Sequence, residues 1–168
     1  PSLYHEQLTF NGAGRPTLTW HQSTDSVLSE VSVGSALVKP STFDLPSLQQ
    51  FQAACFIATP ILKKLYHTTL PGIARWKKIF SLLKPSFRNA YFIYGGYWKA
   101  EYCYPPDARE NQLFGSSTNQ SMINTRNAHL AVDDFVFLRP WQSEFVFLQF
   151  EQIILFRKEK KIGEWALF

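Results

Sequence analysis

Apolar positions along the chain fall into two regimes. From Leu3 to Leu37 they come in short extended runs, Leu8 to Phe10, Thr17 to Trp20 and Val27 to Val33, each broken by glycine or proline. Further on the runs lengthen. Ala54 to Leu62 is nearly continuous in apolar residues, which predicts a strand covered on both faces. Between Gly72 and Pro85, Ile73, Trp76, Phe80 and Leu83 recur at three- and four-residue steps with the lysines elsewhere, predicting one amphipathic helix over 73–84. Ala90 to Trp98, Asp134 to Arg139, Glu144 to Phe150 and Ile153 to Arg157 predict further strands, spaced for an antiparallel meander or a small barrel. Lys39 to Pro46 reads as a proline-framed connector, since proline disfavours helix at the residue before it. Gln112 to Asn127 is polar and reads as a long loop; within it Ser116 to Gln120 is either a carboxylate-binding stretch or a hydroxylated surface loop.

Two of the early runs end in glycine. Leu8-Thr9-Phe10 runs into Asn11-Gly12-Ala13-Gly14, and Ser29 to Val33 runs into Gly34-Ser35. A strand that ends in such a turn can present backbone N–H groups to an anion, because glycine permits positive φ and close approach. Two of them in succession make the usual phosphate grip of an α/β barrel; the alternative is a pair of ordinary turns.

Composition narrows the classes. At 168 residues, 45% hydrophobic and 16% aromatic, the chain has material for a packed core, which excludes a disordered segment. A formal charge of +4, from seventeen Lys and Arg against thirteen Asp and Glu, implies neither nucleic acid nor membrane. Its two basic runs, Arg75 to Lys78 and Arg157 to Lys161, read as solvated surface. Cys55 and Cys103 lie far apart with no metal-ligand spacing, which fits a reducing cytoplasm. His5, His21, His67 and His129 stand singly, and no run approaches the ~18 apolar residues of a membrane span.

The succession Asn11-Gly12-Ala13-Gly14, Glu30-Val31-Ser32-Val33-Gly34-Ser35, Phe56-Ile57-Ala58-Thr59-Pro60, Gly95-Gly96-Tyr97-Trp98-Lys99 and Phe137-Leu138-Arg139-Pro140-Trp141-Gln142-Ser143-Glu144 resembles the C-terminal part of fold-type III pyridoxal-phosphate enzymes. The nearest branch is the alanine racemase-like proteins related to D-threonine aldolase and D-serine dehydratase. The resemblance implies an α+β chain: residues 1–40 as the terminal strands and phosphate turns of a (β/α)8 barrel, and 41–168 as a mostly antiparallel β domain with one main helix. It implies pyridoxal 5'-phosphate as cofactor of the parent protein, an amino-acid substrate, and racemase, lyase or aldolase chemistry. The missing barrel portion, a second chain or a homodimer would be the partner.

Gly12, Ala13, Gly14, Gly34 and Ser35 would then hold the cofactor phosphate. The Schiff-base lysine would lie upstream, so the chain alone is expected to be inactive, and Lys39, Lys63, Lys64 and Lys99 are not substitutes for it. Metal-using relatives keep a His-x-Asp or His-x-Cys pair where this chain has Gln142 and Glu144. An amide is a poor stand-in for imidazole, so no metal is expected. The pair is either a set of substrate-side groups or polar surface. A second reading of the whole pattern is a non-catalytic β-rich interaction module whose aromatic face packs on a partner.

Overall fold

In a computed structural model, residues 7–14, 17–66, 89–112, 114–127 and 129–167 are described. In chain order the regular elements are β1 (Asn11–Gly12), α1 (Leu18–Ser23), β2 (Glu30–Val31), β3 (Ile57–Tyr66), β4 (Asn89–Tyr94), β5 (Ala100–Tyr104), β6 (Arg109–Glu110), β7 (Gln120–Thr125), β8 (Phe135–Pro140), α2 (Ser143–Phe147), β9 (Gln152–Arg157) and β10 (Lys160–Ala166). Three single-turn 3-10 helices, Ser35–Leu37, Ser41–Phe43 and Pro46–Leu48, punctuate the stretch between β2 and β3. The fold is α+β, with mostly antiparallel strands and few helices. The chain forms two compact units, Phe56–Pro140 and the pair of segments Pro1–Cys55 with Trp141–Phe168.

Phe56–Pro140 is built on one six-stranded sheet in the order β5-β8-β3-β4-β7-β6. Consecutive strands β5 and β6 sit on its opposite edges, joined by residues 105–108. Six flat strands would put those edges about 24 Å apart, whereas the connecting residues reach at most about 17 Å. The sheet therefore curls towards a barrel. Its interior takes Ile57, Ile61, Tyr91, Ile93, Ile123, Val136 and Leu138, all buried.

Several expectations are corrected here. The run around β3 is not covered on both faces: Ile57, Thr59 and Ile61 are buried while Phe56, Ala58 and Leu62 are exposed, the period-2 pattern of a strand with one wet face. The polar stretch 112–127 is a loop only in its first half. Its second half is β7, an inner strand with Ser121 to Thr125 all buried. Those polar side chains are admitted because each is paired: Asn111 Nδ2 donates to Asn124 Oδ1 at 2.7 Å, and Thr125 Oγ1 donates to Asp107 Oδ1 at 2.6 Å. Burial alone would raise the Asp107 pKa, but the hydrogen bonds from Thr125 and Arg126 outweigh it and hold the carboxyl below its ordinary value.

In the other unit, Thr17 to Trp20 is not extended but opens α1, whose Leu18 is buried and whose Thr19 hydroxyl donates to the Ser47 carbonyl at 2.9 Å. Tertiary contacts of that kind override the strand propensity of Thr and Trp. Glu144 to Phe150 is not a strand either. Ser143 and Val146 are the buried residues of α2, a three-residue step that a helix satisfies and a strand does not. β9 is followed by a strand the pattern did not predict, β10, through Lys158 and Glu159 at φ 47° and 65°, the two positive-φ positions of a tight hairpin turn. The basic run there is exposed, as a solvated surface should be. The helix expected over 73–84 lies outside the described residues, and among the described residues no (β/α)8 remnant is seen.

Candidate functional site

β1 and β2 are each two residues long and pair in parallel, Asn11 opposite Glu30 and Gly12 opposite Val31, with α1 between them in sequence. The backbone ladder is short: Glu30 N–H donates to Phe10 O at 3.2 Å and Ser32 N–H donates to Gly12 O at 3.0 Å. Side chains extend it, with Asn11 Nδ2 donating to Glu30 Oε1 at 2.7 Å and Ser32 Oγ donating to Asn11 Oδ1 at 2.6 Å. Asn11 thus holds the two strand ends together from both sides of its amide.

Beyond those ends lies a pocket of about 160 Å³. Gly14 contributes from the first glycine turn, and Ser32, Val33, Gly34, Ser35 and Ala36 from the second; Leu18 and Phe43 close its apolar side. Of the five residues the sequence nominated for a phosphate, Gly14, Gly34 and Ser35 line this pocket, while Gly12 and Ala13 are not part of its wall. A Cβ at Gly14 or Gly34 would meet nothing within 4 Å, so both glycines leave open space there. The left-handed position of the first turn is Ala13, at φ 65°, not a glycine. Gly12 has a different constraint, since a Cβ would come within 3.0 Å of the Leu28 side chain.

The second turn runs directly into the Ser35–Leu37 3-10 helix, whose first internal bond is Leu37 N–H to Gly34 O at 3.0 Å. The N–H groups of Ser35 and Ala36 therefore lack an intrahelical acceptor. Ser35 is the centre of a hydroxyl chain: Ser143 Oγ donates to Ser35 Oγ at 2.9 Å, and Ser35 Oγ donates to Glu144 Oε1. The structure thereby joins two nominated groups that are 109 residues apart. Gln142 does not join them; it is the exposed N-cap residue of α2 and makes no cap hydrogen bond.

Other polar candidates have structural employment. Lys39 Nζ donates to Phe51 O at 2.6 Å, and Lys64 Nζ donates to Leu130 O at 2.9 Å. His21 Nδ1 lies 2.8 Å from Ser26 Oγ. Burial pushes the Cys55 thiol up, which keeps it protonated and weakly nucleophilic. Ser116 to Gln120 closes the turn before β7, where Ser117 N–H donates to Gln120 O at 3.0 Å. Among the described residues no three His, Cys, Asp or Glu side chains gather as a metal centre, and no helix is long and apolar enough to cross a membrane.

The residue that the sequence reading missed is Ser143, buried at 3% exposure and aimed at Ser35. Nothing in the local sequence marks it, since its contact with Ser35 spans 108 residues. Comparison with known proteins adds no relative, since no family model, curated protein or solved structure matches the chain.

Proposed function

We propose that this chain is the C-terminal portion of a pyridoxal-phosphate-dependent amino-acid enzyme of the racemase, lyase or aldolase type, and that its two glycine turns hold the cofactor phosphate. The observation that carries the reading is the convergence of Gly14, Gly34 and Ser35 on one pocket beyond a parallel strand pair. The size agrees with a phosphate head. The pocket measures about 160 Å³. It is well below the roughly 300 Å³ or more of a site that engulfs a whole small molecule. The rest of the cofactor would lie outside it.

Fit to the group is partial on charge. The lining includes Ser35, Ser32, whose hydroxyl already donates to Asn11, and the leading amides of a 3-10 turn, but no Lys or Arg, and a carboxylate stands against Ser35. Backbone N–H groups and hydroxyls are sufficient donors for a phosphate. When bound, the cofactor would supply the electron sink of amino-acid chemistry. This chain's share is to anchor and orient its phosphate end.

The test uses pyridoxine 5'-phosphate, which has no aldehyde to react with surface lysines, titrated calorimetrically against the wild-type chain and Gly34→Val. Valine fills the open space at Gly34 and should weaken binding by about tenfold or more. Unchanged affinity in the folded variant would contradict the assignment.

A β-rich interaction module is favoured by one feature of Phe56–Pro140. Tyr104 and Phe137 make an edge contact with ring centroids 6.3 Å apart across β5 and β8, and both are exposed, as is Phe135 two residues away on the same strand. Exposed aromatic clusters of this kind mark partner surfaces. Binding of pyridoxine 5'-phosphate separates the two readings.

A further inference from the structure

We propose that Glu144 is a built-in competitor for the anion pocket: its carboxylate holds the Ser35 hydroxyl until a phosphate takes that hydroxyl over. The inference deepens the cofactor-phosphate reading and rests on it. It moves Glu144 from the substrate side to the phosphate side of the site.

The direction of the hydrogen bonds carries the argument. A serine hydroxyl has one hydrogen to give. Ser143, itself buried, donates to Ser35 Oγ, so the hydrogen of Ser35 goes outward, to Glu144 Oε1. Ser35 cannot serve Glu144 and a phosphate oxygen together. A phosphate entering the pocket must redirect this hydrogen and must also face a carboxylate a few ångströms away. Glu144 is free to yield: it is exposed in the first turn of α2, and among the described residues no cation pairs with it. Ser143 keeps its donation to Ser35 in either state, so the hydroxyl turns between two acceptors while its oxygen stays in place. Without ligand the Glu144 carboxylate thereby takes the Ser35 hydrogen that the external anion would take, and weakly binding anions are disfavoured against a phosphate dianion.

The probe is inorganic phosphate, titrated at constant ionic strength and followed through the amide resonances of Gly34, Ser35 and Ala36. Glu144→Gln and Glu144→Ala should both bind phosphate about five- to tenfold more tightly than the wild type, the loss of one nearby like charge at partial exposure. Using both variants separates loss of charge from any hydrogen bond a new amide would donate. Ser35→Ala should bind more weakly, and in that background the gain from Glu144→Gln should shrink, because the contested hydroxyl is gone. Equal or weaker affinity in the two Glu144 variants overturns the competitor. If the two Glu144 variants match the wild type while Ser35→Ala binds more weakly, the competitor fails and the phosphate pocket stands. If none saturates, both fail.

Discussion

On β3, Ile57, Thr59 and Ile61 turn into a shared core, whereas on β2 both residues, Glu30 and Val31, are exposed. The two compact units differ throughout in this way. The sheet of Phe56–Pro140 has strands of up to ten residues, a buried interior, and buried polar side chains that all find partners. The unit that carries the pocket holds the two-residue pair β1–β2 beside it and the separate β9–β10 hairpin, and buries few side chains, among them Leu18, Ala36, Leu48 and Val146. Its pocket is shaped by short polar contacts from Asn11, Ser32, Ser35 and Ser143. A wall made of turns and hydroxyls can move to admit a ligand, and a packed sheet cannot. The difference teaches that the two units should respond in opposite ways to the same kind of substitution.

The sharpest break is in the sheet. Tyr91 is fully buried, and its hydroxyl donates to Asn127 O at 2.7 Å. Tyr91→Ala should cost about 3–5 kcal/mol of stability, as truncation of a buried aromatic does. A urea titration that shows less than about 1 kcal/mol would mean that this interior is not packed as described.

Glycines give the most direct contrast. A Cβ at Gly96 would fall 1.9 Å from the Ser117 carbonyl oxygen, which is backbone and cannot step aside, whereas Gly34 opens on empty space. Gly96→Ala should therefore destabilise by about 2 kcal/mol or more, and Gly34→Ala should stay within about 0.5 kcal/mol of the wild type. Similar effects at the two positions would erase the distinction between a scaffold turn and a pocket turn.

Acid should reveal a smaller effect. Because the folded Asp107 carboxyl titrates below its ordinary value of 3.8, its contribution is present above that value and is lost as pH falls through the depressed one. Urea midpoints of wild type and Asp107→Asn, followed from about pH 6 to about pH 2, should converge at the acid end. A gap that persists to the lowest pH would show that the Asp107 network does not hold the charged form.

How much was legible in the sequence follows the same division. β3, β4, β8 and β9 were readable because each is a short apolar run rich in aromatic and β-branched residues; the alternation that leaves one face of β3 wet was not visible in its nearly continuous run. β7 was not, since Ser121, Asn124 and Thr125 look like loop residues and become strand residues only through Asn111 and Asp107, which the sheet brings beside them. α2 was misread because Phe145, Val146 and Phe147 are all apolar, and which of them is buried is decided by tertiary contact, not by local pattern. At the site, the glycine turns stood out through their residue type. The joining of Ser35 to Ser143 and Glu144 across more than a hundred residues had no local signal.

The central claim is that Gly14, Gly34 and Ser35 hold a phosphate monoester, and amide chemical-shift mapping with matched ligands tests it most directly. Pyridoxine 5'-phosphate should perturb the amides of Gly14, Gly34, Ser35 and Ala36 saturably, and pyridoxine, which lacks the phosphate, should leave them in place. Equal responses to both ligands, or shifts confined to residues outside this pocket, would contradict the account.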